Sequence, residues 1–371
     1  MKIQLLTAAV MLLLFTGCAT TEKQGSQTKT DELETMEFPA LLERASKGHP
    51  KAQLALADRY MEGIEMEKNA AKAFEWIEKA AKQGDPAGQR KLGYMYVNGL
   101  GVEKSLVRSV QWTRKAANQQ DPLAMGNLAD FYAKGLGGLE KSELVARQWL
   151  RKAAEKGEFD AMFNLAGYMK EGKGGEKNLK EAAEWMSRAA ENGHIGAQHQ
   201  LGHFYENGTG VEKDLAKAVH WWLKAAEQGE RSSQSHVAHA YSAGEGVEAD
   251  KTLFLHWLKK SAEGGHPQSQ FLFGVTLFNG EQVEKDIDQG MMWVKKAAEQ
   301  GLPKAQFEIG KIHLNDEFVK KNLEEAFYWF SLAEDKSAEA KKALAFISTE
   351  IKPDEMLRAL DRVAKTKEKN K

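Results

Sequence analysis

The sequence lacks the features that mark several large classes of protein. It has one cysteine, Cys18, among 371 residues, so the fold cannot depend on disulfide bonds. Its 52 basic residues balance 53 acidic ones, which leaves no excess positive charge of the kind that binds nucleic acid. Its longest mainly apolar segment, from Ile3 to Phe15, has 13 residues, whereas a membrane-spanning helix needs about 20. We therefore expect neither a nucleic-acid-binding protein nor one with a membrane-spanning helix.

The first residues have the pattern of an export signal. A basic residue, Lys2, precedes the short apolar run, and Phe15, Thr16, Gly17 and Cys18 end it. Segments of this kind are removed from mature proteins. The last four residues resemble the lipobox of bacterial lipoproteins, with phenylalanine where leucine is usual. An ordinary cleaved signal that leaves a lone thiol is the alternative.

The lipobox resemblance implies that Cys18 carries acyl chains, which together anchor a protein stably to a membrane. Ala19 follows it where an aspartate would be expected to retain the protein at the inner membrane. We therefore expect an exported protein that is anchored to the outer membrane and faces the periplasm. The next residues are polar and poor in apolar side chains, which is typical of a flexible tether.

Tryptophan is the most regular feature of the chain. Eight of the nine tryptophans follow one another at intervals of 36 residues, with a single interval of 37. They are Trp76, Trp112, Trp149, Trp185, Trp221, Trp257, Trp293 and Trp329. A period of this length over most of a chain predicts a solenoid of stacked repeats. Because an Ala-Ala pair follows most of them on an amphipathic helix, we expect these tryptophans to be core residues.

Each repeat has the pattern of two helices. In the first, a leucine, a small residue and a tyrosine recur, as in Leu92, Gly93 and Tyr96, and spacing by four places the larger two on one helical face. Glycines such as Gly99 and Gly101 end this helix. An N-capping residue then starts the second helix. The predicted N-caps are Asn69, Ser105, Ser142, Asn178, Asp214, Asp250, Asp286 and Asn322.

These residues resemble the Sel-1-like repeat, a relative of the tetratricopeptide repeat. The resemblance is nearly complete between Gln198 and Gly229. It implies an all-α fold, a right-handed α/α superhelical solenoid of eight helix-turn-helix repeats of about 36 residues with capping helices. The predicted segments are a signal peptide (1–17), the acylated cysteine and tether (18–35), an N-terminal capping helix (36–47), eight repeats (48–336), and C-terminal capping helices with a frayed tail (337–371).

The sequence offers little evidence of catalysis. It has no nucleophile elbow, phosphate-binding loop or Cys-x-x-Cys motif, so we predict no enzyme activity, no cofactor and no assigned metal ligand. Histidines are nevertheless clustered between His194 and His266. Among them His199 and His203 have a spacing that can hold zinc on one helical face. Polar residues at tolerant repeat positions are the favoured interpretation, and a metal-binding or pH-sensitive patch is the alternative.

The remaining candidate is a surface. On the first helices, the face opposite the leucine and tyrosine carries polar and aromatic side chains at intervals of three and four. We expect this face to be concave and to bind a protein or peptide. The candidate residues are Tyr94, Asn98, Asn127, Asp130, Asn164, Gln200, His203, Asn207, His236 and His239. A merely solvated surface is the alternative.

The predicted function is therefore that of a lipid-anchored scaffold or adaptor of the bacterial cell envelope. Its partner would be an envelope protein or peptide, and its membrane contact would be the acyl chains on Cys18. Two alternatives remain. One is an outer-membrane assembly component for polysaccharide secretion, and the other is an envelope hydrolase that uses the histidine patch.

Overall fold

The structure, a computed structural model, describes residues 32, 33, 35–280, 283–314 and 319–369. Within these ranges the chain forms 19 α-helices, one short 3-10 helix and no β-strand. The helices are α1 (Phe38–Ser46), α2 (Pro50–Glu62), α3 (Ala70–Lys82), α4 (Pro86–Asn98), α5 (Leu106–Asn118), α6 (Pro122–Lys134), α7 (Glu143–Glu155), α8 (Phe159–Glu171), α9 (Leu179–Glu191), α10 (Ile195–Asn207), α11 (Leu215–Glu227), α12 (Arg231–Ala243), α13 (Lys251–Glu263), α14 (Pro267–Asn279), α15 (Ile287–Glu299), α16 (Pro303–Ile312), α17 (Leu323–Ala333), α18 (Ala338–Ile347) and α19 (Pro353–Lys369). The predicted all-α solenoid is confirmed.

Helices α2 to α17 follow one another along the chain as eight successive pairs, which we number as repeats 1 to 8. In all eight pairs the predicted N-cap residue precedes the second helix, and its side chain accepts a hydrogen bond from the backbone N–H three residues later. Each cap of this kind contributes about 1 kcal/mol. The chain divides into two compact units between Lys141 and Ser142, so that repeats 1 and 2 and α6 belong to the first unit.

The two glycines that end a first helix have different roles. In repeat 5, Gly208 ends α10 in the left-handed conformation, with φ 69°. Gly210 also has a positive φ, and a Cβ atom added to it would lie 1.9 Å from the carbonyl oxygen of Leu179. The second glycine is therefore needed because the turn lies directly against the start of α9, the second helix of the preceding repeat.

A buried glutamine at the fourth position of the first helix connects neighbouring repeats. Its side-chain N–H group donates a hydrogen bond to the carbonyl oxygen eight residues earlier, near the end of the preceding helix, at 3.1 to 3.4 Å. The six pairs are Gln53–Ala45, Gln89–Ala81, Gln198–Ala190, Gln234–Ala226, Gln270–Ala262 and Gln306–Ala298. Because the last carbonyls of a helix lack an intrahelical partner, the glutamine satisfies one of them inside the core.

Helices α18 and α19 cover the last repeat. Their Ile347 and Val363 belong to the same apolar core as Phe330 of α17. The tail differs from expectation, because α19 continues to Lys369 and residues 367–369 are helical rather than frayed. Two contacts explain the difference: the hydroxyl groups of Thr366 and Tyr328 lie 3.1 Å apart, and Lys367 forms a 3.2 Å ion pair with Asp335.

Candidate partner-binding ridge and histidine cluster

The ten candidate binding residues form a set that we call the polar ridge: Tyr94, Asn98, Asn127, Asp130, Asn164, Gln200, His203, Asn207, His236 and His239. All of them lie on first helices, at the sixth, ninth or thirteenth residue of the helix. None of them is buried, whereas the seventh and eighth residues of the same helices are buried in every case. The polar ridge thus consists of accessible positions beside the apolar face on five of the first helices, α4, α6, α8, α10 and α12.

Neighbouring repeats place two of these helix positions side by side. In the first unit, Lys91 at the sixth position of α4 forms a 2.6 Å ion pair with Asp58 at the ninth position of α2. In the second unit, the ring of His236 at the sixth position of α12 lies 4.7 Å from the ring of His203 at the ninth position of α10. The sixth position of one repeat therefore adjoins the ninth position of the preceding repeat within each unit.

Several ridge side chains are held by their own helices. The amide of Asn98 donates to the carbonyl oxygen of Tyr94 at 3.0 Å, and the amide of Asn207 donates to that of His203 at 2.9 Å. An asparagine side chain has more than one donor and acceptor, so a bond of this kind orients the amide without using its full capacity. Such pre-orientation lowers the entropy cost of binding a partner.

Three histidines converge between repeats 5 and 6. His199 and His203 are one turn apart on α10, and His236 comes from α12. One ring nitrogen of each histidine lies within 4.8 Å of those of the other two. The ring of His236 also stacks on the indole of Trp222, with centroids 4.6 Å apart and planes inclined by 16°. We call His199, His203 and His236 the histidine cluster.

Acidic and hydroxyl groups adjoin the histidine cluster from the side. The Nδ1 atom of His199 lies 2.8 Å from the hydroxyl of Ser233 and 3.2 Å from a carboxylate oxygen of Glu230. The Nδ1 atom of His203 lies 2.9 Å from a carboxylate oxygen of Glu206. In both histidines Nδ1 therefore has a partner on the protein, which fixes the orientation of the imidazole ring.

Burial favours the neutral form of two histidines in the cluster. It lowers the pKa of His236 to about 4, with the neighbouring His203 and His199 acting in the same direction. Burial also lowers the pKa of His199, although Glu230 opposes the change. Desolvation disfavours the charged imidazolium, so both rings are neutral at pH 7.

Only part of this cluster is visible in the sequence. Helical spacing identifies His199 and His203, and His203 and His239 hold equivalent positions in successive repeats. The structure brings His236 to His203 and leaves His239 exposed. The signal for this contact is the offset between the ninth and sixth helix positions of successive repeats, which cannot be deduced from a period alone.

The periodic tryptophans are not all core residues. Trp185, Trp257, Trp293 and Trp329 are buried as predicted. The other four, Trp76, Trp112, Trp149 and Trp221, are only half-buried. Their exposed ring face carries a lysine from three residues later, at 3.7 to 4.5 Å from the ring centroid. This arrangement is a cation–π contact, and the lysine stem covers the part of the ring that the core does not.

A separate groove lies beside the second helix of repeat 3. It is an open groove of about 680 Å³ beside Arg147, Arg151 and Lys152. Arg147 donates to the carbonyl oxygen of Glu176 at 3.0 Å, and Arg151 forms a 2.8 Å ion pair with Glu181. Lys152 stands over a tryptophan ring. Because its cations already have protein partners, the groove has no clear complementarity to an anionic ligand.

The proposed acylation site lies outside the described residues. Both Cys18 and the predicted signal peptide (1–17) lie among the residues that the structure does not describe. Among the helices that are described, none has the length and apolar character needed to cross a membrane.

Comparison with known proteins agrees with the helix pairs. Taken together, the eight pairs and their caps define an all-α solenoid of the type that serves as a protein-interaction scaffold and is typically non-catalytic. The sequence model of the Sel1 repeat matches eight consecutive segments, at residues 50–85, 86–121, 122–158, 159–194, 195–230, 231–266, 267–302 and 303–337. The chain belongs to the Sel1 repeat family.

Two solved structures are similar over most of the chain. One is a protective antigen present in uropathogenic Escherichia coli strains, which displays the same repeat fold. It is 32% identical, with a TM-score of 0.75, over 89% of this chain and 72% of that one. The other is a Sel1 repeat protein from Oxalobacter formigenes, which is 26% identical, with a TM-score of 0.64, over 83% of this chain and 89% of that one. A comparison with curated proteins found no match.

Proposed function

We propose that this chain is a lipid-anchored scaffold of the bacterial cell envelope, which binds a protein or peptide along the polar ridge. The accessibility of all ten ridge residues beside buried neighbours carries the proposal. Within each of the two units, polar and aromatic side chains on successive helices are suited to many small contacts that add along an extended partner. Catalysis is not required for this function.

Membrane attachment through Cys18 would keep the scaffold close to envelope partners. The similar protein of uropathogenic Escherichia coli is described as a protective antigen, and an envelope location of the present chain is compatible with that description. An outer-membrane assembly component for polysaccharide secretion is one specific form that such a scaffold could take.

Site-specific photo-crosslinking in living cells tests the binding surface. A photoreactive residue is placed in turn at Asn127, Gln200 and His239 on first helices. The matched controls are His220 and His256, which are exposed on second helices of repeats 5 and 6. We expect a discrete crosslinked protein from the ridge positions alone. Equal crosslinking from the controls, or none from the ridge, would contradict the proposed binding face.

Membrane attachment has a separate test. The Cys18→Ser variant should lose incorporation of labelled fatty acid and leave the membrane fraction, because the acyl chains supply the anchoring energy. A variant that stays in the membrane fraction would rule out acylation as the anchor without bearing on the polar ridge.

A further inference from the structure

The histidine cluster has the composition of a transition-metal site. Imidazole is a preferred ligand of zinc, copper and nickel. His199 and His203, one helical turn apart, present their rings on the same face, and His236 completes a set of three from the next repeat. Catalytic zinc sites usually have three protein ligands and leave the fourth coordination position to water or substrate.

The surroundings of the rings match those of known metal sites. Metal-bound histidines usually direct their second nitrogen at a carboxylate or other oxygen group, which fixes the tautomer and strengthens the ligand. Here the Nδ1 atoms of His199 and His203 have Glu230 and Glu206 beside them. This arrangement leaves Nε2 of each ring as the nitrogen for coordination.

Rigidity also favours coordination. The ring of His236 is held against Trp222, whose indole N–H donates to the carbonyl oxygen of His199 at 3.2 Å. Trp222 of α11 thus connects the two helices that supply the ligands, α10 and α12.

We propose that His199, His203 and His236 bind one divalent transition-metal ion through their imidazole nitrogens, with zinc as the reference ion. Zinc–nitrogen bonds of about 2.0–2.1 Å require nitrogens that are about 3.4 Å apart. The present separations are up to 4.8 Å, so binding requires side-chain rotations that bring the nitrogens closer together. Two of the three ligands, His203 and His236, also belong to the polar ridge. This site does not depend on the scaffold function proposed above.

Zinc titration of the tag-free mature chain tests the proposal. We expect saturable binding of one ion per chain by calorimetry, and we expect cobalt to give the visible absorption of a tetrahedral nitrogen site. His203→Gln and His236→Gln should each weaken zinc binding at least tenfold. His239→Gln is the matched control, because it changes an exposed ridge histidine outside the cluster.

A positioning variant distinguishes coordination from simple packing. Glu206→Gln keeps the shape of the side chain but removes the carboxylate beside His203, so zinc affinity should fall by about 10- to 100-fold. Circular dichroism melts establish that each variant is folded. If either His203→Gln or His236→Gln fails to fold, the other variant still tests the loss of a ligand. The proposal is overturned if the wild-type chain shows no saturable binding, or if both ligand variants bind zinc as the wild type does.

Discussion

The side-chain amide of Gln228 donates a 2.7 Å hydrogen bond to the side-chain oxygen of Gln198, which lies 30 residues earlier. Gln198 is buried and donates in turn to the carbonyl oxygen of Ala190. The same glutamine pair recurs as Gln53–Gln83, Gln89–Gln119 and Gln270–Gln300, at 2.6 to 2.8 Å. Where methionine replaces the first glutamine, at Met125 and Met162, the second is also absent, with Lys156 and Asn192 in its place.

Gln198→Met should lower the free energy of unfolding by about 1–3 kcal/mol, because it removes a buried hydrogen-bonding group and leaves its partners unsatisfied. The double variant Gln198→Met/Gln228→Asn reproduces the combination found in repeat 4. It should be more stable than the sum of the single effects predicts, with a coupling of about 0.5–1.5 kcal/mol. Urea unfolding of the four chains measures this coupling. Additive effects would mean that the pair is not energetically linked.

The sequence predicts features that are determined within one helical turn, but it does not predict contacts that depend on how the helices of neighbouring repeats pack together. The eight N-caps are correct because a cap acts within one turn, as Asn178 does on the backbone of Glu181. The contact between His203 and His236 was missed because it depends on how far one helix is shifted against the next. The half-burial of Trp221 was missed for a related reason, since the repeat pattern does not show how much of each ring its neighbours cover.

Two glycines within first helices should respond oppositely to substitution by alanine. A Cβ atom at Gly202 would lie 2.2 Å from the indole nitrogen of Trp222, whereas one at Gly167 meets no other described atom within 4 Å. Gly202→Ala should therefore destabilise the chain by about 1–3 kcal/mol through overpacking. Gly167→Ala should stabilise it by up to about 1 kcal/mol, the difference in helix propensity. Thermal unfolding measures both, and shifts of the same sign would refute the packing explanation.

The more deeply buried periodic tryptophans should contribute more to the free energy of unfolding. Trp185 is buried, whereas Trp221 is half-buried at the equivalent position of the next repeat. Trp185→Ala should reduce the free energy of unfolding by about 3–5 kcal/mol, and Trp221→Ala should reduce it by less. Both rings carry a cation three residues later, from Arg188 and Lys224, so this contact does not bias the comparison. Equal losses in denaturant unfolding would contradict the ranking.

His313 introduces a pH dependence into the stability of the last repeat. It stands at the helix position that tyrosine holds in repeats 1, 2, 3, 5 and 6. Its Nδ1 atom is buried and has no hydrogen-bond partner among the described residues. Burial lowers the pKa of His313; Glu325 opposes this change, and Lys295 adds to it. The folded state thus disfavours the imidazolium, whereas the unfolded chain keeps the ordinary value.

The sign of this effect follows from proton linkage. When folding lowers the pKa of a group, the unfolded chain binds the proton more tightly than the folded one does. Above the ordinary pKa, near 6.5 for histidine, neither state is protonated and the folded state keeps its full stability. As the pH falls below that value, protonation favours the unfolded chain and the free energy of unfolding decreases. His313→Phe removes the titrating group and fills the same apolar space. The variant should therefore be more stable than the wild type, by a margin that widens between about pH 7.5 and about pH 5.5. Urea midpoints at the two pH values measure the margin, and the other histidines cancel because both chains contain them. A margin independent of pH would show that protonation of His313 does not limit the stability of this repeat.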